Sequence, residues 1–340
     1  MTQNNLGIYI HIPFCSSKCK YCNFYSYKAN DDEINDYVKK LLQEIENFDT
    51  DKIVDTIYFG GGTPTLIGAE NILKIINKLS KFTLSKNIEI SIETNPNVDI
   101  NYSDLEVNRI SFGLQSVHDN ELKLLGRTHS YNAFLKSYNE ASKRFNNINI
   151  DLMFGLPNQT TISWKNTYKT IKELSPAHIS FYSLTLEKQI FDNLPNDDTN
   201  LKMYWDFINN FSEYHHYEIS NIAKTSFECK HNLKYWNLED YIGFGTGAHS
   251  YYNGKRFYND ENWQRVYEEA IPEEEYLFLG LRKLSGISKK DYKAKFNKDI
   301  NQDIINKHVS FGTLSETKDN ISLTKRGIEI SNQVFIDFME

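Results

Sequence analysis

The stretch Tyr9-Ile10-His11-Ile12-Pro13-Phe14-Cys15-Ser16-Ser17-Lys18-Cys19-Lys20-Tyr21-Cys22 decides how the rest of the chain is read. A short apolar run ends in a loop that holds three of the four cysteines in 340 residues, spaced Cys-x3-Cys-x2-Cys. Three thiolates on one tight loop form a soft-ligand claw of the kind that selects iron–sulfur clusters, zinc or copper(I). A four-iron cube held by three sulfurs keeps one iron open for another ligand. Tetrahedral zinc would take the same three sulfurs plus an imidazole, and His11 lies four residues before Cys15. Inert or paired cysteines are the third reading, although a disulfide framework requires an oxidising compartment.

Working outward, apolar runs rich in Ile, Val, Tyr and Phe alternate with amphipathic helical patterns. Strands are expected near 7–12, 56–59, 88–92, 109–112, 148–154 and 178–184. Helices are expected near 32–48, 69–80, 120–125, 131–145, 163–174 and 201–215. Near-continuous apolar strands separated by helices predict a parallel sheet covered by helices. Six such units predict an α/β fold of the TIM-barrel type, a partial (β/α)6 barrel, with its site at the C-terminal ends of the strands.

The unusual residues fall at that end. The cysteine loop follows the first strand and Gly60-Gly61-Gly62-Thr63-Pro64 the second. Glu93-Thr94-Asn95-Pro96 follows the third, and Gln115-Ser116 and then Arg127 follow the fourth. The fifth contains Asp151 and runs into Gly155-Leu156-Pro157. Each has an ordinary alternative. Glycines after a strand often only turn the chain. Glu93 could cap a helix, Arg127 and Asp151 could pair with each other, and Gln115 could be a satisfied core amide. Together on one rim they describe a pocket.

Net charge is −7 and no Lys/Arg run stands out, which argues against nucleic acid as a partner. No apolar run reaches the roughly 20 residues of a membrane span. Residues 1–6 lack a charged-then-apolar signal pattern. Few cysteines, three of them on one loop, suit a reducing cytoplasm. The 22 Tyr and 21 Phe suit a wide cavity and an ordinary core equally.

The segments YIHIPFC, YFGGGTPT, RISFGLQS followed by LGRTH, IDLMFGLPNQT, and YEISN through HNLKYW to GFGTGAHSY resemble the radical S-adenosylmethionine (SAM) superfamily. Within it they resemble the branch of oxygen-independent coproporphyrinogen III oxidase and the radical SAM haem chaperone. The resemblance spans roughly 6–338. It implies that Cys15, Cys19 and Cys22 each bind one iron of a [4Fe–4S] cluster whose fourth iron chelates SAM. It further implies that Tyr9 and Tyr21 flank the cofactors, that Gly61, Gly62 and Thr63 meet the methionine moiety, and that Glu93 meets the ribose. Gln115, Arg127 and Asp151 would line the remainder or a second SAM. The cofactor supplies the radical chemistry, and the protein supplies position and exclusion of water.

The oxidase carries a fourth cysteine two positions after the third and an N-terminal extension. Here Phe24 takes that position, and Tyr9 stands almost at the start of the chain. The element His231-Asn232-Leu233-Lys234-Tyr235-Trp236 resembles the HNxxYW element of the chaperone, which implies that His231 ligates haem iron while Tyr235 and Trp236 pack the macrocycle. Cys229 is expected to be a plain buried thiol rather than an auxiliary ligand. His249 and Ser250 fit a turn better than a substrate contact.

The expected organisation is a barrel over 1–220, a haem-motif and Gly-rich closing segment over 221–270, and a mainly helical, winged-helix-like domain over 271–340. The expected function is haem binding and transfer to apo-haemoproteins such as those of a respiratory chain. A haem donor such as a bacterioferritin and peripheral contact with a membrane are compatible with it. The alternatives are oxidative decarboxylation of coproporphyrinogen III and radical SAM alkyl or methyl transfer.

Overall fold

The computed structural model describes residues 4–185 and 190–339; residues 1–3 of the N-terminal stretch read above lie outside it. Six parallel strands, β1 (Asn5–Ile12), β2 (Ile53–Gly61), β3 (Leu84–Thr94), β4 (Arg109–Gln115), β5 (Ile148–Phe154) and β6 (His178–Ser183), lie side by side in chain order. Between them run α1 (Asp31–Glu46), α2 (Gly68–Leu79), α3 (Asp119–Leu124), α4 (Tyr131–Ser142) and α5 (Thr161–Leu174), and α6 (Asp197–Asn210) follows β6. This is the open (β/α)6 architecture expected from the alternation. The first helix starts with a capping box, Asn30 accepting from the Glu33 N–H and Glu33 from the Asn30 N–H, worth about 1 kcal/mol.

The strands are not apolar throughout, as the sequence reading expected. They alternate. Ile57, Phe59, Ile92, Ile110, Phe112, Ile150 and Phe181 pack in one hydrophobic core with residues of the covering helices. The opposite face carries Thr56, Tyr58, Ser91, Glu93, Arg109, Ser111, Asn149, Asp151, His178 and Ser180; Tyr58 bonds to Glu93, and Asn149 bonds to Ser111, Asp151, His178 and Ser180. Tyrosine hid the pattern: its ring reads as apolar while its hydroxyl faces the polar interior.

The chain then departs from expectation. The short strands β7 (His215–Glu218) and β8 (Asn221–Ala223) continue the sheet beyond β6, with β8 antiparallel to β6. Helix α7 (Lys230–Trp236) carries the HNLKYW element. The segment expected only to close over the pocket instead adds strands at the other edge. There β9 (Tyr241–Phe244) pairs parallel with β1, and β10 (His249–Tyr252), β11 (Lys255–Asn259) and β12 (Arg265–Glu268) continue antiparallel. The result is one twelve-stranded sheet in the order β12-β11-β10-β9-β1-β2-β3-β4-β5-β6-β8-β7. Gly243 belongs to this edge because a Cβ there would lie 2.4 Å from the His249 carbonyl oxygen.

The remainder has its own core, built from Leu281, Ile305, Leu314, Ile321, Val334 and neighbours. Helices α8 (Pro272–Gly280), α9 (Lys289–Phe296) and α10 (Gln302–Ser310) surround a small sheet of β13 (Ile287–Ser288), β14 (Leu314–Glu316) and β15 (Asn320–Leu323). Two short helices follow, α11 (Lys325–Glu329) and α12 (Ser331–Asp337). This unit is anchored to the barrel through the buried Glu218, which faces Arg282 at 3.6 Å, and through Trp205, whose indole N–H donates to Glu329 at 2.8 Å.

Candidate functional site

The C-terminal ends of β1 to β4 are tied together by their polar residues. Cys15 Sγ lies 3.7 Å from Thr63 Oγ1, and Thr63 accepts from the Asn95 amide at 2.7 Å. Asn95 Oδ1 accepts from Arg127, whose other terminal nitrogen donates to Cys19 Sγ at 3.5 Å. Arg127 also donates to the Gly113 carbonyl. These contacts close a ring around the rim: Cys15, Thr63, Asn95, Arg127, Cys19.

The cysteine loop is held from outside by backbone bonds, Cys15 N to Tyr27 O at 2.9 Å and Lys20 N to Leu125 O at 3.0 Å. Its three thiols are free and half-buried. Burial raises the Cys22 pKa, and the neighbouring Cys19 and Cys15 raise it further. Among the described residues no three His, Cys, Asp or Glu side chains are set to hold a single metal ion.

Gly61 and Gly62 are required by close approach. Gly61 sits at φ +112°, a glycine conformation, with its would-be Cβ 2.7 Å from the His11 ring. At Gly62 a Cβ would lie 2.5 Å from the Phe14 carbonyl oxygen. Glu93 accepts from the Tyr58 hydroxyl at 2.9 Å and the Gly61 N–H at 3.3 Å, so it caps no helix. Burial and the neighbouring Asp151 push its carboxyl up to about 7.

Asp151 accepts from Asn149 at 2.7 Å and from Ser111, and burial raises its pKa too. It and Arg127 take separate partners rather than each other. Gln115 accepts from Tyr182 at 3.0 Å and holds φ +74°, an uncommon conformation for a residue with a Cβ, where β4 shifts register. Tyr21 packs with Leu125, Met153 and Leu156 beside the cysteine loop.

Helix α7 lies inside the barrel. Glu89, on the lumen face of β3, accepts from the Lys230 N–H at 3.1 Å and the His231 N–H at 3.2 Å, completing donors that an N-terminal turn leaves open. Cys229 is fully buried, its thiol donating to Glu89 at 3.6 Å and pushed up to about 12 by burial, as a structural thiol would be. His231 is 0% exposed. Its Nδ1 meets Thr56 Oγ1 and its Nε2 the Tyr235 hydroxyl, both at 2.8 Å, and its ring stacks on Tyr58 with centroids 5.2 Å apart. Burial pushes its pKa down to about 3. The imidazole expected to ligate iron therefore has both nitrogens engaged within the protein.

Above this helix opens a cavity of about 1050 Å3, at the upper end of the roughly 300–1,000 Å3 of small-molecule sites. Its floor is Asn232, Tyr235 and Trp236 of α7. One wall is Tyr9, Tyr58 and Glu93 of the barrel, another Asn23, Phe24 and Tyr25 at the end of the cysteine loop, and the third β9 to β11 with the following turn. Phe24, in place of the oxidase's fourth cysteine, is 69% exposed and contributes to this lining. Sequence reasoning missed Asn95, which joins the glycine loop to Arg127, and Tyr58, which alternates with Gly60 on β2. Its period-2 spacing from the glycines was the available signal. Strands β9 to β11 gave no comparable signal as cavity walls.

Residues 9–171 match the radical SAM superfamily, and residues 272–330 the HemN C-terminal domain. Two proteins named "Heme chaperone HemW" are each 33% identical to this chain. That of Lactococcus lactis aligns with 100% of this chain and 98% of its own length, and that of Bacillus subtilis with 97% and 98%. The solved structure of coproporphyrinogen III oxidase (HemN) from Escherichia coli superposes with a TM-score of 0.84 over 98% of this chain and 89% of that one, at 21% identity. That likeness shows a shared fold. Radical SAM proteins as a group carry a [4Fe–4S] cluster and SAM. Among the described residues no helix is long and apolar enough to cross a membrane. The similarity to HemW over the full chain, on a HemN-like fold, shows that the chain belongs to the HemW family of the radical SAM superfamily.

Proposed function

We propose that this chain is a haem chaperone of the cytoplasm, which binds haem in the cavity above α7 and passes it to apo-haemoproteins, respiratory ones among them. The observation that carries the reading is the cavity itself. It is large, lined by aromatic rings, floored by the HNLKYW helix, and walled on one side by Asn23, Phe24 and Tyr25, which directly follow the cysteine loop. The full-length similarity to proteins named as haem chaperones supports the same use.

Cys15, Cys19 and Cys22 would hold the [4Fe–4S] cluster. They are free and lie on a loop pinned at both sides, and their Cys-x3-Cys-x2-Cys spacing fits a group taking one sulfur per iron. Gly61, Gly62 and Thr63 would take the methionine end of SAM against bare backbone, Glu93 the ribose hydroxyls, and Tyr9, Tyr21, Gln115, Arg127 and Asp151 the surrounding space. When bound, cluster and SAM supply one-electron reductive chemistry. The chain's own work is positional. The ring through Thr63, Asn95 and Arg127 fixes two of the three sulfurs relative to the glycine loop, and Glu93 braces Gly61. Tyr235 and Trp236 would pack the macrocycle. His231, engaged on both sides, would hold Tyr235 in place; ligation through it requires Tyr235 to leave its Nε2.

One observation favours a second reading. Asn23, Phe24 and Tyr25, next to the cysteine loop, and Glu93 line the cavity, so a porphyrinogen of the same size could be oxidatively decarboxylated there. The deciding experiment is anaerobic. Reconstituted protein receives SAM, reductant and coproporphyrinogen III, with decarboxylation followed by mass spectrometry. In parallel, haem-loaded protein is mixed with an apo-haemoprotein and reconstitution is followed by absorbance. Haem transfer without decarboxylation is expected. Doubly decarboxylated product would replace this reading by the oxidase.

A further inference from the structure

Two histidines line the cavity, His11 and His249, and a third, His231, lies beneath its floor. His11 meets the Tyr9 hydroxyl through Nδ1 and the Tyr25 carbonyl through Nε2, both at 3.1 Å, and burial pushes its pKa down to about 4. His231 is engaged at both nitrogens. His249 differs. It stands at the start of β10 with its side chain 54% exposed, its ring stacked on Tyr258 at 5.2 Å. Its Nδ1 lies 3.5 Å from the Glu268 carboxylate, and no hydrogen bond to Nε2 is formed among the described residues. Both His11 and His249 line the same cavity.

A metal-binding histidine characteristically presents one nitrogen to the metal while a carboxylate holds the other, fixing tautomer and ring orientation. His249 has that form: Nδ1 towards Glu268, Nε2 without a partner, and a stacked ring wall in a cavity of macrocycle size. We propose that His249 Nε2 is the axial ligand to the iron of haem in this cavity, with Glu268 as its positioning residue. This rests on the haem-binding reading above. Ligation here needs no displacement of Tyr235, whereas ligation by His231 would break the His231–Tyr235 hydrogen bond that braces the floor. The ligand would thus come from the glycine-rich GFGTGAHSY segment, with the HNLKYW helix serving as floor.

The test is titration of ferric haem into the full-length protein, followed by Soret absorbance and by electron paramagnetic resonance of the iron. Wild type is expected to show imidazole-ligated haem. His249→Ala should bind at least about tenfold more weakly, the loss of more than about 1.4 kcal/mol, with a shifted Soret band that added imidazole restores. Its thermal midpoint should match wild type, because the side chain is half exposed. Glu268→Gln should keep imidazole ligation but raise the Fe(III)/Fe(II) potential, since the carboxylate lends the ring anionic character. Wild-type spectra and affinity in His249→Ala would overturn the assignment and leave the chaperone reading standing. Absence of haem binding by wild type would overturn both.

Discussion

The assignment of His231 to the floor of the cavity makes a quantitative claim about His231→Ala. The side chain is fully buried, and its removal leaves a cavity beneath Tyr58 together with two hydroxyls, of Thr56 and Tyr235, each short of a 2.8 Å partner. Truncating a large buried side chain costs roughly 2–5 kcal/mol, and each orphaned buried polar group about 1–3 kcal/mol. Partial relaxation around Tyr235, which borders the cavity, brings the expected loss at pH 7 to about 3–5 kcal/mol. The pH dependence is sharper. The unfolded chain protonates His231 near pH 6.5, whereas the folded chain resists until about pH 3 because burial opposes the charge. Between those values the unfolded state binds more protons, so wild-type stability falls as pH falls. At pH 5 this costs wild type about 2 kcal/mol, at about 1.4 kcal/mol per pH unit, a cost the alanine variant escapes. The gap between the two proteins should therefore narrow by about 2 kcal/mol from pH 7 to pH 5. Guanidinium unfolding at both pH values, read by circular dichroism, measures it. A gap under about 1 kcal/mol at pH 7, or one of equal size at both, would refute the buried, doubly bonded imidazole.

Gly62→Ala would drive a Cβ to within 2.5 Å of the Phe14 carbonyl oxygen, backbone that cannot give way without moving the cysteine loop; iron per protein after reconstitution should drop, and full loading would show that the loop moves freely. For Glu93, the folded carboxyl titrates at about 7 against roughly 4.3 unfolded, so stability falls as pH rises through that window, by up to about 3 kcal/mol at pH 8. Glu93→Gln should recover much of that at pH 8 while weakening SAM binding by calorimetry; no stabilisation at pH 8 would mean that the carboxylate is well solvated. Arg127→Gln removes a donor to Cys19 Sγ, and hydrogen bonds to cluster sulfurs raise reduction potential. A cluster that still loads but reduces at lower potential is expected in an electrochemical titration, and an unchanged potential would show that the loaded protein does not use this contact.

The parallel half of the fold was legible because its strands are bounded by turn residues and separated by strongly periodic helices; β5 at Ile148–Phe154 and α5 at Thr161–Leu174 fall where the residues place them. Strands β7 to β12 were not. They are three to five residues long and rich in Tyr and His, so each presents too few periods for alternation to register, and their pairing is set by a distant edge. At the site, the rim motifs announced themselves as Gly, Pro and acidic punctuation at strand ends. Asn95 stood inside one of those motifs without a visible role, because its use lies in spanning Thr63 and Arg127, a relation between three loops. His231 was visible as a residue and invisible as an environment: no local pattern says that Thr56, 175 residues away, takes its Nδ1.

The pairing of β9 with β1, which sets Gly7 against Tyr241, bears on how the protein is made. As the chain leaves the ribosome, β1 is covered on its β2 side early, yet its other edge waits for a strand synthesised more than two hundred residues later. Through that interval the nascent barrel carries an unsatisfied hydrophobic edge of the kind that invites pairing with other chains. The cysteine loop, attached to that same strand, is complete long before the cavity beside it has its third wall. Biogenesis thus passes through a stage in which the cysteine loop exists and the cavity beside it does not.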